Sequence, residues 1–425
     1  MTTSSEKAKE LISLYNRTRP FEEILKSLSE DSKIEIPVIP DVPGKNSWSA
    51  EAAAKRQDFL ESRTHKSLAS LSGKSPMPDP ETYKGNIESF IGMTQVPTGI
   101  VGPVYIRGTA AYGDFYVPMA TTEGALIASY NRGAKACRLS GGITSVCLTE
   151  TVQRAPLFRF HRLAEVGAFM YWILDKLDIF KSITLGKSRF AKLIDLRLNM
   201  EGNQVVIIFE YTTGDAAGQN MVTICTEAIC TYIIEHTPIQ PTHWFIESNY
   251  SGDKKATAVS FSSVRGKKVT AEAVIKKQYV KEVLSSDVPG IVQYWQSSSV
   301  AAVQSGSIGI QGHFANGLTA IFLACGQDVA CVAEAYVGIT RMEKNEDGDL
   351  YVAVTLPSLM VGTVGGGTGL TTQHECLDLL ECTGPGTARK FAEICGATVL
   401  AGELSIAAAL ASGQFSKAHR IFGRK

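Results

Sequence analysis

At 425 residues the chain exceeds what one simple core holds, and its length points to two or three domains. Its 42 basic and 42 acidic residues cancel, with no polybasic arm, which argues against nucleic acid or an anionic membrane surface as the main partner. Nine cysteines, an odd total without C-x-x-C spacing, fit reduced cytosolic thiols, and no metal site is expected.

From Glu6 to Gly73 the pattern is charged and helical. Pro37, Pro40, Pro43 and Gly44 separate a helix at Phe21 to Leu28 from a second one around Ala50 to Leu71. No signal-peptide hydrophobic region precedes them, so the mature chain is expected to begin near Met1. Pro76, Pro78 and Pro80 mark a linker.

Next comes Pro118 to Gly124, leading into a small-residue helix that Thr121 or Thr122 can cap. Glu123 at its start is either a charge favoured by the helix dipole or, if partly desolvated, a general acid. Leu193 to Met200 and Val205 to Tyr211 read as strands, followed by apolar residues at helical spacing from Met221 to Ile233. Leu157 to His243 therefore reads as a compact α+β insert in a larger core, and its segment Tyr211 to Asn220 as a ligand-lining junction.

Lys254 and Lys255 lie between two apolar segments: the pair is solvated, as most lysine pairs are, or one ammonium points inward, where a fixed positive charge stabilises a developing oxyanion. Val288 to Gln327 contains no Asp, Glu, Lys or Arg, but glutamines, serines and His313 interrupt it, which predicts soluble core rather than a membrane span. Asp328 is an acid inside an apolar run: it sits on a surface turn at Gly326, or it pairs with a lysine and an acid so that all three pKa values shift. The run Gly362 to Gly369 is a flexible turn or hinge, or it lets backbone amides approach an anion closely, as a phosphate-bearing ligand requires. His419 lies in the tail, where a lone histidine is usually inert.

Together these segments closely resemble the catalytic portion of class I hydroxymethylglutaryl-CoA (HMG-CoA) reductases over about residues 85 to 425. The shared motifs, in the same order, include Pro118 to Gly124, Arg154-Ala155-Pro156, Ser188 to Ala191, Gly214 to Met221, Asp253-Lys254-Lys255, Gly326-Gln327-Asp328 and Gly362 to Thr368. The resemblance implies an α+β fold: a helical N-terminal domain and linker (1–84), a large α/β substrate domain in two parts (85–155 and 246–403) around an inserted ferredoxin-like NADP-binding domain (156–245), and a C-terminal helix with a mobile tail (404–425).

It also implies four-electron reduction of HMG-CoA to mevalonate and CoA by NADPH, through a hemithioacetal and an aldehyde. Glu123, Lys254, Asp328 and His419 would be catalytic, with His419 protonating the departing thiolate. Ser188, Arg189, Phe190, Asp215, Asn220, Val364, Gly365 and Gly366 would hold the dinucleotide, Arg189 suiting the 2′-phosphate. Ser129, Arg154, Asp253, Lys255 and Asn316 would bind substrate. The implied assembly is a cytoplasmic homodimer or homotetramer with sites between subunits.

Six positions depart from the family pattern: Ala217 and Gln219 replace methionines, Gln311 and Ser89 replace asparagines, and two more fall at the site for the distal carboxylate. Ser297 stands where a substrate lysine is usual, and Glu247 where a carboxylate-binding serine is usual. They open one alternative, the same chemistry on another acyl thioester; a second, a non-catalytic CoA- or nucleotide-binding oligomer, is opposed by the retained Glu123, Lys254, Asp328 and His419.

Overall fold

The computed structural model describes residue 13 and residues 20–29, 36–45 and 47–415. His419 lies outside the described residues.

The N-terminal part carries helices α1 (Phe21–Ser29) and α2 (Ala50–Thr64). Ser49 caps α2 by accepting the Ala52 N–H, and the helix ends at Thr64, before the expected Leu71, because His65 takes a left-handed conformation (φ 57°).

The large domain is built on strands β1 (Thr98–Gly108), β2 (Tyr112–Ala120), β3 (Ile143–Arg154), β8 (Gly266–Ile275), β9 (Ile339–Lys344) and β10 (Leu350–Leu359). They form a sheet in the order β2-β1-β3-β8-β10-β9. Its helices are α3 (Leu126–Leu139), α7 (Lys277–Glu282), α8 (Val288–Gln304), α9 (Phe314–Ala324), the short α10 (Val332–Ala335), α11 (Thr371–Leu379) and α12 (Ala388–Ala411). Helix α12 lies across β3, β8 and β10 and against α3, α8 and α9. Its run of Ala, Gly, Val, Leu and Ile is what a central helix needs to meet neighbours on all sides. Residue 404, expected as a boundary, falls inside this continuous helix.

The expectation for Val288 to Gln327 needs correction in its first half. Helix α9 is core, but α8 buries only Val288 and Ile291 and leaves Val300 and Val303 exposed.

The insert runs β4 (Leu157–Arg159), α4 (Leu163–Leu174), α5 (Leu177–Lys187), β5 (Lys192–Glu201), β6 (Gln204–Thr212), α6 (Gln219–His236) and β7 (His243–Phe245). Its spatial order β7-β4-β6-β5, all antiparallel, is the ferredoxin-like split βαβ arrangement. Strand β3 ties it to the large domain: Thr144 to Thr151 pair with β8, and Val152 to Arg154 pair with β6.

Candidate active site

The site residues gather in two clusters, one after β7 and one before α3. In the first, Lys254 holds an unusual φ of 55°, a conformation a side-chain-bearing residue keeps only where its surroundings enforce it. The enforcement is ionic. Buried Arg265 donates from Nε to Glu334 Oε2 (2.6 Å), from Nη2 to Asp253 Oδ1 (2.6 Å) and from Nη1 to the Gln153 carbonyl (3.0 Å). The Lys254 N–H donates to the same Glu334 oxygen at 3.3 Å.

The Lys254 ammonium then meets Asp328 Oδ2 at 3.0 Å. Lys254 is 44% and Asp328 45% exposed, so the pair faces solvent, as the surface-turn reading of Asp328 expects. The hydrogen bond to Asp328 raises the Lys254 pKa above the ordinary lysine value, against the opposing effect of burial. The expected third member, Glu123, is not part of this cluster. Asp328 also caps the following 3₁₀ turn by accepting the Ala330 N–H at 3.0 Å.

Arg154 is already engaged. Its Nη1 lies 3.2 Å from Glu247 Oε2 and 3.3 Å from Asp253 Oδ2, so a substrate carboxylate would have to compete with Glu247 for it. Lys255 donates to the Asp253 carbonyl at 3.0 Å and keeps an exposed side chain. Ser297 is exposed on α8.

The dinucleotide side adjoins Lys254 and Asp328 through Gln327. Its Oε1 accepts the Gly362 N–H at 2.9 Å, which fixes the glycine-rich loop to the segment carrying Asp328. Gly365 (φ 82°) and Gly366 (φ 57°) have open space where a Cβ would stand, so a phosphate can approach their backbone. Val364 is about half exposed and bridges Ala216. The Asp215 carboxylate accepts the N–H groups of Gly386 (2.7 Å) and Ala388 (3.0 Å) at the start of α12, and its carbonyl accepts that of Thr363 (2.8 Å). It acts by holding the loop.

Ser188 Oγ accepts from the N–H groups of Phe190 (3.2 Å) and Ala191 (3.0 Å). That turn leaves Arg189 and Phe190 exposed, and Asn220 is exposed in the first turn of α6. An exposed guanidinium is suited to bidentate pairing with a phosphate.

The second cluster lines a cavity of about 270 Å³ with Glu123, Ser129, Arg132, His313, Asn316 and Phe415. Glu123 is exposed, not desolvated, and its Oε2 accepts from Asn316 Nδ2 at 2.6 Å. The expected threonine cap is absent: α3 starts after Ala125, in a left-handed conformation (φ 69°), while Thr121 Oγ1 accepts the Glu123 N–H at 3.0 Å. Ser129 Oγ lies 2.9 Å from Ser405 Oγ.

Sequence reasoning missed Arg132 and His313. Arg132 donates to Ser405 Oγ (3.1 Å) and the Ser405 carbonyl (2.7 Å), and burial lowers its pKa. Its signal was a cation one turn after Ser129 in a small-residue helix.

The two clusters lie at opposite ends of α9: Asn316 is in its first turn, and Asp328 follows its C-terminus. The helical part of that path alone spans about 12 Å.

A sequence profile of the hydroxymethylglutaryl-coenzyme A reductase family matches residues 52–424. The chain belongs to this family. It is 43% identical over 380 residues to the 3-hydroxy-3-methylglutaryl-coenzyme A reductase of Aeropyrum pernix, covering 88% of this chain and 90% of that one. Its similarity to the Pyrococcus abyssi enzyme is 42% (81% and 86% covered), and to reductase 1 of Solanum tuberosum 38% (97% and 71%). The fold matches the class II reductase structure from Streptococcus pneumoniae bound to NADPH, with a TM-score of 0.67 at 20% identity, covering 84% and 86%.

Proposed function

We infer that this HMG-CoA reductase family member catalyses the NADPH-dependent reduction of HMG-CoA to mevalonate and CoA. The observation that carries the reading is the Lys254–Asp328 pair on a strained loop, fixed through Gln327 to an open glycine loop. NADPH supplies the hydride for each of the two reductions. The Lys254 ammonium, kept protonated by Asp328, stabilises the oxyanion that forms at the acyl carbon. Glu123, oriented by Asn316, delivers the proton to that oxygen as the aldehyde becomes alcohol. His419 protonates the departing thiolate between the two reductions. Arg132 and Ser129 bind the CoA side, and Lys255 meets the distal carboxylate.

The test is NADPH consumption by the purified chain with HMG-CoA, with mevalonate identified as product, beside an NADH control and other acyl-CoA thioesters. Turnover confined to another thioester would refute it and assign Ser297 and Glu247 as the cause.

We further propose that the reaction site is completed between two copies of the chain. The separation of Glu123 from Lys254 supports this, as do exposed apolar groups at Ile87, Ile91 and Met93 and on α8 at Val300 and Val303. Mixing Glu123→Gln with Lys254→Met subunits should restore about a quarter of wild-type activity if they exchange into random dimers, because half the dimers then carry one intact site. No recovery after proven exchange would refute shared sites. Dimer or tetramer assembly and a cytoplasmic location belong to the same reading. Helix α12, the one described helix long and apolar enough to cross a membrane, has 83% of its most apolar window buried inside the fold.

A further inference from the structure

Beneath the Glu123 cavity lies a buried carboxylate that the reading above does not use. Glu403, midway along α12, is 2% exposed, and both its oxygens are filled. Oε1 accepts the His313 N–H at 2.6 Å and lies 3.1 Å from His313 Nδ1. Oε2 accepts the Gly312 N–H and the Thr340 hydroxyl, each at 2.7 Å. Burial alone would push this carboxyl up; the bonds from His313 and Thr340 outweigh it and hold the pKa below the ordinary carboxylate value.

An ionised acceptor at Nδ1 keeps a proton on that nitrogen and fixes the plane of the ring. The other side of the ring is fixed by packing. His313 stacks on Tyr130 with centroids 5.5 Å apart at 26°. Tyr130 is fully buried between α9 and α12, where any side chain at Gly317 or Gly402 would overlap its phenol ring. Those two glycines adjoin Asn316 and Glu403 in the chain, so one packing arrangement sets both polar residues.

From His313 the path to the reacting group is short. The His313 carbonyl accepts the Asn316 N–H at 3.1 Å, and the Asn316 amide donates to Glu123 at 2.6 Å. We propose that Glu403 is a positioning residue for the reduction: through His313 and the start of α9 it holds Asn316, and by Asn316 the Glu123 carboxylate, in the orientation that proton delivery needs. This rests on the assignment of Glu123 to the reaction site.

The experiment is a double-mutant cycle of Glu403→Gln and His313→Gln in the full chain, reading kcat, KM for NADPH, thermal midpoint and oligomeric state. Gln at 403 turns an amide toward one of the backbone N–H donors, so kcat should fall about ten-fold or more while KM for NADPH stays unchanged, the dinucleotide loop lying elsewhere. The double variant should be no slower than the slower single one, because both interrupt one path. Effects that multiply, or a thermal midpoint that falls while kcat holds, overturn the proposal. Should Glu403→Gln fail to fold, His313→Gln decides alone: a wild-type kcat refutes the path and a ten-fold loss at unchanged KM for NADPH supports it. Glu123→Gln separates the two layers. If it is inactive while Glu403→Gln is normal, only the positioning role fails; if Glu123→Gln turns over normally, the assignment of Glu123 fails and takes this proposal with it.

Discussion

Replacing Arg265 by Met tests whether ionic restraint sets the Lys254 loop. Arg265 and Glu334 are 3% and 1% exposed, and their contact is 2.6 Å. Removing the guanidinium leaves Glu334 buried without its cation and takes one partner from Asp253, which costs about 3–5 kcal/mol near neutral pH. That cost should depend on pH with a definite sign. Burial already raises the Glu334 pKa, with Arg265 as the main opposing influence, so the variant raises it further. An acid whose folded pKa lies above its unfolded value penalises folding fully above the folded pKa, and the penalty fades as pH falls toward the unfolded value. For this one proton the difference between variant and wild type should shrink by up to about 1.4 kcal/mol per pH unit in that window. Urea denaturation followed by tryptophan fluorescence is the suitable assay, because an uncharged denaturant does not screen the ion pairs. A difference below about 1 kcal/mol at neutral pH, or one constant between neutral and mildly acidic pH, would refute the reasoning.

Three further outcomes follow from the same contacts. Asp328→Asn should lower kcat by roughly 10²-fold and move the alkaline limb of the kcat–pH profile to lower pH, because Asp328 is the main cause of the raised Lys254 pKa and Lys254 acts protonated; an unmoved limb would exclude Lys254 as the group titrating there. Asp215→Ala removes the acceptor for the Gly386 and Ala388 N–H groups and should raise KM for NADPH about ten-fold with a smaller change in KM for HMG-CoA, measured by varying each separately. Glu247→Ser frees one side of Arg154 and should lower KM for HMG-CoA several-fold, roughly 1 kcal/mol of relieved competition; a raised KM would mean that Glu247 supports the substrate site.

What could be read from the sequence and what could not divide along a physical line. Local periodicity places β5, β6 and α6 within one to three residues, because alternation and helical spacing are properties of neighbours in the chain. The glycine run was legible for the same reason: the open approach at Gly365 and Gly366 needs nothing but the absence of Cβ atoms. The support beneath Asp215 is not legible in the same way, since the donors to its carboxylate, Gly386 and Ala388, lie about 170 positions away and carry no pattern that points back. Arg265, Glu334 and Glu403 were not noticed at all. Each is a charge in an ordinary sequence context whose meaning comes from a distant partner: Arg265 from Glu334 and Asp253, Glu403 from the turn at Gly312 and His313. The apolar flanks of Lys254 and Asp328 leave buried and exposed placements both open; the structure keeps both side chains exposed while the buried ions sit one layer below. That arrangement follows from the cost of desolvation. A group that must meet a charged, bulky substrate keeps access to solvent, and the rigidity it needs comes from ions beneath it that are buried only because each is paired and hydrogen-bonded.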